Sequence, residues 1–221
     1  MQPDGCFQCV KASGLPPQKK TLKASEQDRP DVQHQREKWE EKTSAVDSSR
    51  FVFIDESGAK TNMTRLRGRC RGGDRLYDSA PAGRWETTTM IGSIRLDGSV
   101  APMVIEGATD AAVFRAYVKH VLVPTLRQGD IVVMDNLSSH KGAEIEAMIQ
   151  AVGAELWYLP PYSPDLNPIE EMWSKVKESL RSRKARCTEE LYEAVRLALR
   201  EVTAQDAQGW FEASGYVYKQ N

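Results

Sequence analysis

Three carboxylates, Asp55, Asp135 and Glu170, are the side chains of this 221-residue sequence best suited to catalysis. Asp55 follows the apolar run 51–54, and Asp135 follows the apolar run 131–134. Buried apolar strands in α/β sheets usually run parallel, so that their carboxyl ends meet at one edge, where ligands bind. Two carboxylates there would repel each other unless a cation lies between them or one is protonated. The pattern predicts a cation site, although each aspartate could also simply end a strand and begin a turn.

The ligand types indicate which cation such a site would bind. Carboxylate oxygens without clustered His or Cys side chains favour Mg²⁺ or Mn²⁺ over zinc. The four cysteines are too few for a disulfide scaffold in a chain of this length. Cys6 and Cys9 have the spacing of half a zinc site, but Cys70 and Cys187 stand alone. We therefore interpret Cys6 and Cys9 as free thiols.

Glu170 lies in the first turn of a predicted helix that begins at Asn167 and Pro168. Asn is a favoured N-cap residue, and Pro is favoured at the first helical position. At about 100° per residue, Glu170 lies at the edge of the apolar stripe that would pack on the sheet, whereas Glu171 points to solvent. The stripe consists of Ile169, Met172, Trp173, Val176 and Leu180. Glu170 is therefore the third candidate ligand, although it could also complete a capping box with Asn167, and both roles can coexist.

Basic residues cluster in two segments, although the net charge of the chain is only −1. Such clusters can follow a phosphate backbone, and solvated surface charge is the alternative interpretation. The first segment contains Lys60, Arg65, Arg67, Arg69, Arg71 and Arg75 against one acid, Asp74. The second segment contains Lys175, Lys177, Arg181, Arg183, Lys184 and Arg186. Lys177 and Arg181 share the helix flank of Glu170, where they could hold a phosphate backbone bound at the carboxylates.

The elements that must position these residues follow from the periodicity of the chain. Residues 1–49 are polar and lack a sustained apolar period, which predicts an arm or linker, partly disordered, with one short helix near 32–42. Residues 50–221 form the predicted domain, in which strands come first and then alternate with helices. Strands are expected at 51–54, 87–95, 100–105, 131–134 and 155–159, and helices at 109–122, 143–152, 168–184 and 188–202, before a small aromatic tail. This order predicts an α/β or α+β fold with a mixed central sheet covered by helices.

Composition and the N-terminus limit the cellular location. Hydrophobic residues make up 40% of the chain and charged residues 28%, an ordinary soluble balance. No apolar run approaches the roughly 18 residues needed to cross a bilayer. The N-terminus lacks the basic-then-apolar layout of a signal peptide. We therefore predict a cytoplasmic protein without a membrane partner.

Three sequence stretches together resemble a known family. The segments FIDES, VVMDNLSSHK and LPPYSPDLNPIEEMWSKVK are similar to the catalytic domain of mariner-type DDE transposases, in their bacterial insertion-sequence branch. The 34 residues that separate Asp135 from Glu170 are the separation typical of this superfamily. The similarity runs from about residue 50 to about residue 184 and more weakly to the end. The YSPDLNPIE stretch is the most specific part of it.

The resemblance implies a fold, a cofactor and partners. It implies an α/β fold of the ribonuclease H-like type, with two divalent ions, Mg²⁺ or Mn²⁺, held by Asp55, Asp135 and Glu170. Asn136 and His140 match the DN…H pattern of the family and are expected to shape the site or contact DNA, although they could be turn and helix-start residues. The expected partner is double-stranded DNA, both the transposon ends and the target, bound by a homo-oligomer in the nucleoid of a prokaryotic cell. Arg65, Arg67, Arg69, Arg71, Lys177 and Arg181 are the expected contacts to its phosphates.

The N-terminal region departs from the family pattern. Full-length relatives carry a helix-turn-helix region, whereas the fifty or so residues before the first strand here resemble only an interdomain linker (GLPPQKKTLKASEQDRPDV). We therefore expect recognition of the transposon ends to require a separate helix-turn-helix polypeptide.

Two other functions remain open at this stage. One is a non-catalytic DNA-binding remnant or regulator of transposition, although the presence of all three acids argues against long decay. The other is a different ribonuclease H-like nuclease, which the proline-rich motif before Glu170 and the basic segment 60–75 disfavour.

Overall fold

A computed structural model describes residues 24–72, 74–83, 85–136 and 142–216 of the protein. Its strands are β1 (Phe51–Lys60), β2 (Thr87–Arg95), β3 (Met103–Glu106), β4 (Ile131–Met134) and β5 (Glu155–Tyr158). Its α-helices are α1 (Pro30–Ser44), α2 (Ala111–Tyr117), α3 (Ala143–Gln150), α4 (Pro168–Arg183), α5 (Thr188–Arg200) and α6 (Ala204–Ala213). Short 3-10 turns occur at Ser25–Asp28, Ser48–Arg50, Val123–Thr125 and Pro164–Leu166, and a π-helical turn at Val118–Leu122 extends α2.

The five strands form one mixed sheet in the order β3-β2-β1-β4-β5. The two hairpin connections make β1–β2 and β2–β3 antiparallel. The crossovers through α2 and α3 make β1–β4 and β4–β5 parallel. The sheet thus confirms the predicted mixed topology and the predicted parallel pairing of the two most apolar strands.

Alternation along the strands divides the core between the two faces of the sheet. Phe51 and Phe53 of β1 point into a core formed with α1, α4, α5 and α6, whereas Val52 and Ile54 point into a core formed with α2 and α3. Both faces are therefore covered, which explains why residues 51–54 of β1 and the whole of β4 are continuously apolar rather than alternating. The catalytic candidates must then lie at an edge of the sheet and not on an open face.

Several elements differ from their predicted bounds. The strand β1 was expected to end before Asp55, but it continues to Lys60 because β2 pairs with it along its whole length. The segment expected as an aromatic tail contains the helix α6, which a capping box between Thr203 and Asp206 begins. The helix predicted near 32–42 is α1, and its Trp39 is buried in the core beside α4 and the C-terminal segment. Among the described helices, none is long and apolar enough to cross a membrane.

Candidate active site

Asp55 and Asp135 lie at matching positions on adjacent parallel strands. The last paired residues of the two strands are Phe53 and Val133, so each aspartate lies two residues beyond a paired residue. Strand β4 ends at Met134, and Asp135 follows it directly, as predicted. Because side chains alternate along a strand, Asp55 shares the face of Phe53, on which α4 packs. Both carboxylates are partly buried at the carboxyl edge of the parallel strands.

The helix α4 brings Glu170 to the same edge. Asn167 occupies the N-cap position, and Pro168 begins the helix, as predicted. The Asn167 side chain makes no capping hydrogen bond, so the capping box considered for Glu170 is not formed. Ile169, Met172, Trp173, Val176 and Leu180 are all buried against the sheet, whereas Glu170 and Glu171 are exposed. The packing of the apolar stripe therefore orients α4, and its first turn carries Glu170 beside the two aspartates.

Close packing between Gly92 and Trp173 determines how near α4 lies to Asp55. Gly92 of β2 is the antiparallel partner of Asp55 in β1. A methyl group at Gly92 would lie 3.0 Å from a ring carbon of Trp173, closer than most real contacts. Any side chain here would therefore push α4 away from the sheet next to the candidate site. Sequence reasoning treated Trp173 as architectural and missed Gly92, for which the only signal is a lone glycine within a strand.

Burial and neighbouring charge perturb Asp55. Burial, followed by the negative charges of Glu170 and Asp135, raises the pKa of Asp55 from 3.8 to about 7, against a hydrogen bond from the Glu56 backbone that lowers it. The pKa of Asp55 shows that the three carboxylates interact electrostatically across three separate elements. A carboxyl group whose pKa is raised by burial and by neighbouring negative charges is the expected state of a cation-binding group without its cation.

The oxygen donors at this edge of the sheet suit a divalent cation in their type and charge. Three carboxylates supply the hard oxygen ligands that Mg²⁺ and Mn²⁺ prefer. Within the described part of the chain, no three His, Cys, Asp or Glu side chains lie close enough together to hold one ion. The carboxylates therefore converge on the sheet edge without closing around a single point.

The predicted DNA contacts lie on two elements that touch each other. Arg65, Arg67, Arg69 and Arg71 are exposed in the segment between β1 and β2. Arg65 donates to the hydroxyl of Ser182 at 2.8 Å, which ties this segment to the C-terminal end of α4. Lys177 and Arg181 of α4 are partly buried. Since a helix rises about 1.5 Å per residue, these two lie roughly 10 and 16 Å along α4 from Glu170.

Of the remaining predicted residues, some lie within the described part of the chain and others lie outside it. Asn136 is exposed directly after Asp135. His140 and the pair Cys6 and Cys9 lie outside the described residues. Cys70 and Cys187 are exposed free thiols.

Comparison with known proteins shows which family this site belongs to. Residues 50–192 match the family described as DDE superfamily endonuclease. The matched segment contains all three candidate carboxylates and more than half of the chain. The chain therefore belongs to the DDE superfamily of endonucleases. Among the curated proteins, nothing matches it.

Solved structures of the Mos1 transposase have the same fold. The paired-end complex with the left transposon end is 15% identical with a TM-score of 0.70, and the match covers 90% of this chain and 63% of that one. The mariner paired-end complex with Mn is 16% identical with a TM-score of 0.70 over the same shares. The isolated catalytic domain of Mos1 is 14% identical with a TM-score of 0.60, covering 86% of this chain and 90% of that chain. The fold is therefore the ribonuclease H-like fold that was predicted, and the chain spans less than two thirds of the first of these transposases.

Proposed function

We propose that this domain cuts and joins duplex DNA as the catalytic part of a transposase, with Asp55, Asp135 and Glu170 as its catalytic residues. The observation that carries the proposal is the electrostatic coupling of Asp55 to Glu170 and Asp135 in a chain of the DDE superfamily. Each carboxylate comes from a different element, so only the folded sheet edge with α4 against it brings them together.

The three carboxylates would hold Mg²⁺ or Mn²⁺, and we propose two ions. Mos1 transposase structures contain Mn or Mg, which supports the choice of cation. Bound divalent ions would supply Lewis-acid stabilisation of the phosphoryl oxygens and activate the attacking hydroxyl. The protein contributes a rigid frame for two ligands, because Asp55 lies within β1 and Asp135 follows β4 directly.

The reaction is an in-line displacement at phosphorus. In strand cleavage, the oxygen of a water attacks phosphorus and the bond from phosphorus to the 3′ oxygen of the preceding nucleotide breaks. That oxygen leaves as a 3′-hydroxyl after taking up a proton, and the phosphate stays on the 5′ end of the following nucleotide. In strand transfer, the freed 3′-hydroxyl attacks a phosphorus of the target strand instead, and the bond from that phosphorus to the target strand's own 3′ oxygen breaks. Because only the nucleophile changes, one set of carboxylates serves both steps.

Basic residues would hold the DNA beside the carboxylates. Lys177 and Arg181 lie on α4 on the flank of Glu170, and the segment with Arg65, Arg67, Arg69 and Arg71 is tied to the same helix. A strip of this kind contacts phosphates and positions the duplex without reading its sequence. Asn136, next to Asp135, and His140 are proposed to contact DNA or shape the site.

The partners follow from the same proposal. Mos1 structures show that transposase in complexes with transposon ends, and we propose that this chain also acts as a homo-oligomer on transposon ends and target DNA. We propose further that the reaction takes place in the nucleoid.

The catalytic assignment is tested by nicking of supercoiled plasmid DNA in Mg²⁺ or Mn²⁺. We expect Asp55→Ala and Glu170→Ala to reduce nicking to background. Glu171→Ala is the matched control, because Glu171 is the exposed neighbour of Glu170 in the same helical turn. Nicking that persists unchanged in Asp55→Ala or Glu170→Ala would show that the carboxylate assignment is wrong.

The proposed DNA contacts are tested by the salt dependence of binding. We expect Arg67→Ala and Lys177→Ala each to reduce the slope of log affinity against log salt by about one, because each removes one phosphate contact. Arg196→Ala is the control, since Arg196 pairs with Glu193 on the exposed side of α5. An unchanged slope in Arg67→Ala and Lys177→Ala would exclude these residues from the DNA surface. Salt-sensitive binding without metal-dependent nicking would instead identify a non-catalytic DNA-binding protein.

A further inference from the structure

The helix α1 is attached to the turn that precedes the helix of Glu170. Arg36 of α1 makes two parallel hydrogen bonds to the carboxylate of Asp165, at 3.0 and 2.7 Å. Gln27, just before α1, donates to the backbone carbonyl of Tyr162 at 2.5 Å and to Asp165 at 3.2 Å. Two side chains from the N-terminal segment therefore converge on the loop between β5 and α4.

A second attachment reaches the same turn from the core. The Trp39 indole N–H donates to the hydroxyl of Tyr216 at 3.1 Å, and that hydroxyl donates to the Leu166 carbonyl at 2.7 Å. Trp39 and Tyr216 are both buried. Gln27, Arg36 and Trp39, which we call the α1 brace, thus support the loop at three places. Gln27 and Arg36 bond Tyr162 and Asp165 directly, and Trp39 reaches Leu166 through Tyr216.

The loop needs such support because its backbone is strained. Tyr162 has a φ of 55°, in the left-handed region that non-glycine residues rarely adopt. Strain of this kind persists only where surrounding contacts over-determine the conformation, and it clusters at functional sites. The Gln27 bond to the Tyr162 carbonyl is one such contact.

The braced turn is directly connected to Glu170. The 3-10 turn Pro164–Leu166 is closed by hydrogen bonds from the Leu166 and Asn167 backbone N–H groups, and the Glu170 N–H donates to the Asn167 carbonyl. Asp165 is only five residues before Glu170, and Asn167, which bonds both the turn and the Glu170 N–H, connects the two. A displacement of Asp165 would therefore be transmitted to the first turn of α4.

We propose that Arg36 is a positioning residue for the active site, which holds Asp165 and thereby sets the position of Glu170 relative to Asp55. The inference rests on the proposed function, because it gives Glu170 its role as a metal ligand. Among the described residues, the guanidinium of Arg36 bonds Asp165 and not Asp55, Asp135 or Glu170, so it acts on the site through the loop. The planar guanidinium suits this task, since its two parallel bonds fix both the distance and the orientation of the carboxylate.

The Arg36–Asp165 pair is suited to orientation more than to stability. The Arg36 side chain is 19% exposed and that of Asp165 51% exposed. Hydrogen bonding to Arg36 lowers the pKa of Asp165, so the pair is ionised at neutral pH. Ion pairs with an exposed partner add little to folding stability. Loss of the pair should therefore change the metal site more than it changes the unfolding transition.

The test measures Mn²⁺ binding to the full chain, with the free ion detected by electron paramagnetic resonance. The stability of each variant is measured separately by urea unfolding. Arg36→Ala should weaken Mn²⁺ binding about tenfold, the usual size of effect for residues that support metal ligands. The Mn²⁺ affinity of Arg36→Lys should lie between those of Arg36→Ala and wild type, because an ammonium group cannot form both parallel hydrogen bonds to Asp165. The double variant Arg36→Asp with Asp165→Arg should recover part of the affinity. The urea midpoint of Arg36→Ala should stay close to that of wild type.

Arg29→Ala is the matched control, because Arg29 precedes α1 and its side chain pairs with the nearby Asp31. Equal Mn²⁺ affinities for Arg36→Ala and Arg29→Ala would overturn the positioning role. Asp55→Ala and Glu170→Ala separate this failure from failure of the proposed function. If these two variants bind Mn²⁺ as wild type does, the proposed metal site is wrong and the role of Arg36 falls with it. If they lose Mn²⁺ and Arg36→Ala does not, only the role of Arg36 is refuted.

Discussion

Replacing Asp55 with Asn should change how the stability of the metal-free protein depends on pH. The pKa of Asp55 is raised from 3.8 in the unfolded chain to about 7 in the folded protein. Protonation of Asp55 therefore favours the folded state. Its stabilising effect is fully present below pH 3.8 and is lost as the pH rises through 7.

The size of the effect follows from proton linkage. When the pH falls from 8 to 5, a carboxyl group with these two pKa values raises the free energy of unfolding by about 2.5 kcal/mol. Asn at position 55 cannot ionise, so the variant should lack this contribution. We expect the stability advantage of Asp55→Asn over wild type to be about 2.5 kcal/mol larger at pH 8, where the wild-type carboxylate is charged beside Glu170 and Asp135, than at pH 5.

The assay is urea unfolding with a chelator at several pH values between 5 and 8. Groups that titrate in both proteins cancel in the difference between wild type and Asp55→Asn. Asp74→Asn, at an exposed position, is the control and should follow wild type. Mn²⁺ at a hundred times its dissociation constant should then stabilise wild type by about 2.7 kcal/mol at pH 8 and leave Asp55→Asn unchanged. Parallel pH curves for wild type and Asp55→Asn would refute the burial and charge coupling inferred for Asp55.

Two substitutions test how the sheet supports the site. Gly92→Ala should destabilise the protein by about 1–3 kcal/mol in urea unfolding and weaken Mn²⁺ binding, because its methyl group would meet the Trp173 ring at 3.0 Å. Gly58→Ala is the control: a methyl group there has no neighbouring atom within 4 Å, so this variant should be neutral or slightly stabilised. Asp130→Ala should lower the free energy of unfolding by about 3–5 kcal/mol, because it leaves the buried guanidinium of Arg95 without its carboxylate partner. An unchanged midpoint of thermal unfolding would contradict this expectation.

Local patterns in the chain were sufficient for most of the elements. Strand β4 has the predicted bounds, and α4 ends within one residue of its predicted end, because a short apolar run and an Asn-Pro start followed by an apolar stripe are strong local signals. The end of β1 was predicted wrongly, because the residues after Asp55 are polar and only their pairing with β2 makes them a strand. The helix α6 was missed, since its capping box lies in a segment that also reads as a tail.

The identity of the three candidate carboxylates came from residue type, helix phase and the resemblance of the surrounding motifs and their spacing to a known family. Their mutual arrangement did not, because Asp55 and Glu170 are 115 positions apart in the numbering and interact only after α4 packs on the sheet. Helix phase placed Glu170 at the edge of the packed stripe, but the closeness of that packing depends on Gly92, which no local pattern connects to Trp173. Likewise, Arg36 lies in a polar segment that was read as a linker, and only the folded chain brings it to Asp165. Composition and periodicity report what each element buries, whereas contacts between distant elements depend on how those elements pack together.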